Sequence, residues 1–248
     1  MDLKLPDNTP KYVIEAVLTN EPGGCRVSLS QTKPFTENNS FTGISGAAVA
    51  ISGDGSTQTL SPTSAGVCQN SAFTGAPGKT DQLTVQVDGK TFTASSTMPQ
   101  PVGFDSLYVK RGDGHNKDGS PLLYAFTRYH DPAISKNFYR FVQYVNNKKE
   151  ETVFIDDDEF TNGNLVNNRL SFSNDNDDPA RNLKSGDQLT VEMLCLDPVI
   201  YQYWYSLSTG AGGDGNNAAP ANPDTNLSGG ALGYFSAHTI QRKTIIVP

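Results

Sequence analysis

The sequence predicts an all-β protein made of two β-sandwich-like domains, the second carrying one inserted helix. Three observations predict it: short runs in which apolar and polar residues alternate with period two, a supply of 23 glycines and 15 prolines among 248 residues, and a single stretch with helical apolar spacing. The apolar fraction of 36%, with 12 Phe and 10 Tyr, is enough to build a core.

Taken in order, Lys11–Thr19 reads as a strand, because Tyr12, Ile14, Ala16 and Leu18 share one face and Asn20-Glu21-Pro22-Gly23-Gly24 stops it. Val27 and Leu29 alternate with Arg26, Ser28 and Ser30 in a second strand. A short apolar strand at Ala48–Ile51 runs into the Gly53-Asp54-Gly55 turn. At residues 81–97, Leu83, Val85 and Val87 alternate with polar residues, Asp88-Gly89 turns the chain, and Phe92, Ala94 and Ser96 alternate back. Asp-Gly accepts the positive φ of a tight hairpin turn, so this segment is a hairpin. These elements make residues 1–98 an Ig-like or transthyretin-like sandwich. Met98-Pro99-Gln100-Pro101 is the boundary, since two prolines in four residues end a strand and stiffen a linker.

Residues 102–248 form the second domain, with strands expected at Ser106–Arg111, Leu122–Tyr129, Phe138–Val145, Thr152–Ile155, Arg169–Phe172, Gln188–Leu196 and Tyr234–Val247. A helix over 198–208 interrupts them: Asp197 caps it, Pro198 suits its first position, and Val199, Ile200, Tyr203, Trp204 and Leu207 repeat at helical spacing. We read that stripe as core. Residues 209–230 follow as a long Gly/Asn/Ala/Pro loop.

The net charge of −7 and pI near 4.9 argue against nucleic acid and against an anionic membrane surface, because no Lys/Arg stripe overrides the acidic field. No apolar stretch reaches the roughly 20 residues that span a bilayer. Met1 leads directly into the polar Asp2-Leu3-Lys4-Leu5-Pro6, which fits a chain from which an export segment has been removed. Of three cysteines, Cys25 and Cys68 fall in the first sandwich and are the pair that an oxidising compartment could join. Cys195, between Leu194 and Leu196, reads as a small buried apolar residue.

Gly210, Gly212 and Gly215 match the dinucleotide pattern G-x-G-x-x-G, but they follow a helix instead of opening one, so the match reads as loop. Arg111-Gly112-Asp113 is read the same way. His115, His130 and His238 have no nucleophile elbow beside them, and we expect no catalytic residues and no cofactor. The acidic runs around Asp156 and Asp158, and around Asp175 and Asp177, supply hard oxygens suited to calcium, though without the spacing of an EF-hand loop.

The chain as a whole resembles the domain-of-unknown-function family 4249, envelope lipoproteins of Gram-negative bacteria often encoded beside TonB-dependent receptors. The similar residues are Lys11–Asn20, the strand Ala47–Ile51, Asp131-Pro132 with Asn137-Phe138-Tyr139-Arg140, the turn Phe160-Thr161-Asn162-Gly163, and Gly229-Gly230-Ala231-Leu232-Gly233-Tyr234-Phe235. The resemblance implies export, an N-terminal lipid as the only membrane attachment, an outer-membrane or periplasmic address, and no activity. The leading expectation is therefore a non-catalytic accessory or binding partner of a TonB-dependent transporter, taking a small-molecule, glycan or peptide ligand. A structural or adhesive surface module and a hydrolase with an unrecognised site are the alternatives. Binding residues are expected in the 209–230 and 113–119 loops. The glycines of the last motif read as structural, docking the final strand.

Overall fold

The structure, a computed structural model, describes residues 10–33, 42–172, 174, 178–211 and 222–248. It is all-β with one helix, consistent with the sandwich class expected. The chain divides into two compact units, Met1–Pro99 with Gln202–His238, and Gln100–Tyr201 with Thr239–Pro248. Most of the helix and the start of the last strand belong with the first unit, although they follow the second in sequence.

The first unit contains β1 (Tyr12–Thr19), β2 (Cys25–Gln31), β3 (Ala48–Gly53), β4 (Ser56–Ser64), β5 (Val67–Gln69), β6 (Thr80–Val87) and β7 (Lys90–Thr97). The second contains β8 (Phe104–His115), β9 (Pro121–His130), β10 (Phe138–Val145), β11 (Lys148–Lys149), β12 (Phe154–Asp157), β13 (Leu165–Leu170) and β14 (Gln188–Cys195). Helix α1 (Pro198–Ala211) and β15 (Leu232–Ile246) each contribute to both.

Two turns follow directly from the sequence. In the β6–β7 hairpin Val87 pairs with Lys90, and the two residues between, Asp88 and Gly89, have φ of 48° and 70°. Positive φ at both centres matches the right-handed twist of the flanking strands. Asp54 and Gly55 repeat the device between β3 and β4. Helix α1 begins as its cap predicts, with the Val199 N–H donating to Asp197 Oδ1 (3.2 Å). Its stripe is only partly core: Ile200 and Tyr203 are buried, but Val199 is 52% exposed. Tyr203 and Trp204 instead pack their rings on Tyr234 of β15, with centroids 4.8 and 5.3 Å away.

Strand order in the first unit is β15-β1-β2-β5-β4-β3-β6-β7, and β15 runs parallel to β1. An open sheet of this kind would leave β7 and β15 as bare edges. The tract before β15 joins them. The Asn226 side chain donates to Ser95 O of β7 (3.0 Å) and Phe235 O of β15 (2.8 Å), and accepts from the Phe235 N–H (3.0 Å). Ser228 N–H adds a bond to Thr93 O (2.8 Å), and Ala237 N–H donates to Ser96 Oγ (3.0 Å). Inside, Ile14, Leu18, Ile51, Leu83, Phe92 and Phe235 form the core. Gly233, opposite Ile14, has φ +98°, and a Cβ there would sit 2.0 Å from Ile14 O. Only glycine lets β1 and β15 approach at that point.

In the second unit β10 pairs with β14 and β12, β14 pairs with the C-terminal half of β15, and β13-β9-β8 form a separate sheet. Tyr129, Tyr139, Phe141, Leu189 and Val191 fill the core between them. The strand expected at 169–172 lies earlier, at Leu165–Leu170, because Val166 and Leu170 are its buried residues. Arg111-Gly112-Asp113 lies within β8, not in a loop.

Replacing Asn226 by alanine orphans backbone groups on both strands, so the denaturant midpoint should fall by the equivalent of about 3 kcal/mol. Gly233→Ala should cost at least as much, through strained backbone and the clash with Ile14. Urea unfolding followed by tyrosine and tryptophan fluorescence measures both.

Candidate functional site

The second unit holds a cavity of about 340 Å³, within the size range of small-ligand sites. One wall is the end of the β8–β9 hairpin, where the register shifts between Arg111 and His115 and the chain leaves regular pairing. The loop beyond is pinned by its own polar groups. Asn116 N–H donates to Ser120 O (2.8 Å), Asn116 Nδ2 to Ser120 Oγ (2.8 Å), and Ser120 N–H to Asp118 Oδ1 (2.9 Å). His115, Asn116 and Lys117 are thereby set at the cavity wall, so part of the 113–119 loop does face a pocket. Of the 209–230 loop, residues 212–221, including Gly212 and Gly215, lie outside the described residues, and Gly210 falls near the end of α1.

The opposite wall is built around Arg181. Its Nε donates to Glu150 Oε2 (3.1 Å), a second nitrogen reaches Glu150 Oε1, and its guanidinium lies 4.4 Å from the centre of the Phe172 ring. Burial raises the Glu150 carboxyl, yet the hydrogen bonds from Arg181 and Thr152 outweigh it and hold the group below the usual range. Asn174 bridges Asp178 O (2.9 Å) and Asn182 Oδ1 (3.1 Å), which places both amides on the lining.

Gln143 supplies the least expected part. Along β10, Tyr139, Phe141 and Val145 point into the core, and Gln143 stands in the same row at 1% exposure. It lines the cavity, and its Oε1 has no hydrogen-bond partner among the described residues. A buried acceptor left unpaired costs about 1–3 kcal/mol. Leu122, Tyr124, Leu170, Phe172 and Leu183 make the apolar remainder, and no carboxylate lines the cavity among the described residues. Such a lining, amides and hydrocarbon with the basic side chains of His115, Lys117 and Arg181, can hold a small molecule. A Ser–His contact does occur, Ser236 Oγ to His238 Nδ1 at 2.9 Å, but both residues are buried in β15 and neither lines this cavity.

Of the acidic residues considered for calcium, Asp156 and Asp158 accept hydrogen bonds within the second unit. Asp158 is buried at 3% exposure and accepts from the Asn137 N–H (2.8 Å), tying the 131–137 segment to the 158–164 turn. Asp156 accepts from Tyr129 Oη (3.5 Å), and Asp131, fully buried, accepts from Tyr139 Oη. Asp175 and Asp177 lie outside the described residues. No group of three or more His, Cys, Asp or Glu side chains suited to a metal occurs among the described residues. Burial pushes the Asp131 carboxyl above the ordinary range; the Tyr139 hydroxyl opposes this and the neighbouring Asp158 charge adds to it. Burial raises Asp156 likewise.

Cys25 and Cys68 are buried and free. They share a face of adjacent strands, but Cys68 pairs with Val27, which places the thiols on a diagonal. Burial pushes the Cys25 thiol up to about 11 and raises Cys68 and Cys195 as well.

The described residues thus define an all-β protein with a small mixed-polarity pocket in its second unit. A family model described as a domain of unknown function, DUF4249, matches residues 1–244, and the chain belongs to that family. No curated protein matches the sequence.

Two measurements follow. A raised carboxyl stabilises the fold below its ordinary pKa, and that stabilisation is lost as pH climbs through the folded value. Asp131→Asn keeps an acceptor for Tyr139 but does not titrate, so its melting temperature relative to wild type should rise between pH 4 and pH 7. A difference that stays flat would remove Asp131 from the balance. Ellman's reagent should find no reactive thiol in the native protein and three after denaturation.

Proposed function

We propose that this protein is a non-catalytic binding component of the bacterial cell envelope. In this reading an N-terminal lipid holds it at the outer membrane, and it passes a small ligand to a TonB-dependent transporter. The observation that carries the binding role is the cavity: its walls are pinned by internal hydrogen bonds, and its floor keeps an unused acceptor, Gln143 Oε1. A protein serving only as a spacer gains nothing from a buried polar group without a partner. The envelope address and the transporter come from the family resemblance described above.

A contact surface for the partner is supported by two loops of the second unit. They are tied to each other by the Asp131 N–H bond to Asn164 O (2.9 Å) and by Asp158, yet carry Ile134 at 97% and Phe160 at 88% exposure. Large apolar side chains held out on anchored loops favour burial against another surface.

Affinity capture of the lipidated protein from its own outer membrane, in mild detergent and with mass spectrometry, tests the reading. A TonB-dependent receptor should be recovered in near-stoichiometric amount with wild type and be largely lost with the Ile134→Asp/Phe160→Asp double variant. Recovery of the protein alone at native expression would sink the transporter role.

A further inference from the structure

We infer that the cavity of the second unit takes a neutral, hydroxyl-rich molecule of about the size of one monosaccharide; this rests on the binding role proposed above and names its ligand class. The argument starts from Gln143. A carboxamide in the inner row of β10, at 1% exposure, with its Oε1 unpaired and bordering open space, requires a donor from whatever fills that space. A purely apolar occupant would leave it unpaired.

The rest of the lining narrows the chemistry. Besides Gln143, three more carboxamides border the cavity, Asn116, Asn174 and Asn182. A carboxamide both donates and accepts, and so does a hydroxyl, so amides and hydroxyls satisfy each other without net charge. Glu150 and Arg181 already neutralise one another at the wall, with Thr152 taking part, so that pair offers an added ionic group little. The other basic side chains on the lining, His115 and Lys117, are exposed to solvent, so the buried part of the site is amide and hydrocarbon. A zwitterionic dipeptide would bring two charges into it. Leu170, Leu183 and Phe172 add apolar surface to the lining, the counterpart of the C–H faces of a sugar ring.

Volume agrees. At roughly 30 Å³ per water, about 340 Å³ holds on the order of ten waters, room for a ring of about a dozen heavy atoms with some solvent retained. The fit is to a single unit, free or at the end of a chain.

The test is ligand-detected NMR and calorimetry on the full chain with glucose, galactose, xylose and N-acetylglucosamine as neutral probes. Glucuronate and glycylglycine serve as charged ones. At least one neutral sugar should bind, and Gln143→Leu should weaken it roughly tenfold or more while the melting temperature holds or rises, since the buried orphan is gone. Leu183→Trp, which fills the cavity, should abolish binding. Binding of the charged probes alone, or full affinity in Gln143→Leu, would overturn the ligand class but leave the binding role standing. Silence from every probe overturns this ligand class too; the capture experiment then decides separately whether the transporter role survives.

Discussion

The pairing of β15 governs this structure. Its first seven residues run parallel to β1 in register from Leu232 to His238, and the following eight run antiparallel to β14 from Thr239 to Ile246. One continuous strand therefore supplies an edge to each unit, and neither core is closed without it. The demand is steep at Gly233, where β1 leaves no room for a side chain, and at Asn226, whose three hydrogen bonds join the two ends of the first unit's strand order. The glycine-rich tract before the last strand is thus a fastening, and its residue types are those a fastening needs: positive φ at Gly229, Gly230 and Gly233, and one amide able to donate twice and accept once.

The second unit treats buried polarity in two ways. Around Asp131, Asp156 and Asp158, carboxylates accept from the hydroxyls of Tyr139 and Tyr129 and from the Asn137 N–H, and the 131–137 and 158–164 segments are bound together, although the second oxygen of Asp131 has no partner among the described residues. At Gln143 a polar side chain is buried in an otherwise apolar row and its oxygen is left unmatched beside a cavity. The first arrangement is what a fold does to hold loops in place. The second sets an acceptor on the wall of a cavity that a ligand can enter, which is why the pocket, and not the acidic cluster, carries the functional reading.

Much of the fold was legible because most strands carry their own pattern. Residues 12–19 and 83–97 keep one apolar face in alternation, 138–145 is rich in aromatic and β-branched residues, Asp88-Gly89 specifies its turn, and Asp197-Pro198 marks the helix start. β4 escaped notice because Leu60 is its one buried residue in nine, and β5 because three residues carry no period. The partner of β15 escaped notice for a different reason. A parallel partner two hundred residues away leaves no trace in local alternation, so the C-terminal segment was read with its neighbours in sequence instead of with β1. Of the site, the 113–119 loop was anticipated from its polarity. Gln143 was not, since a single glutamine in a strand is unremarkable until its face is known; breaking the apolar row Tyr139, Phe141, Val145 was the one signal available.

That the shared strand is also the last one sets the order of events when the protein is made. A ribosome that has reached residue 231 has translated every other strand among the described residues, with β1 and β14 each lacking the neighbour that will cover it. Unpaired edges of this kind invite pairing with other chains, and closure between distant segments is slow. Neither unit can therefore close its sheet until β15 has emerged, and both stay exposed to wrong partners for as long as that strand is missing.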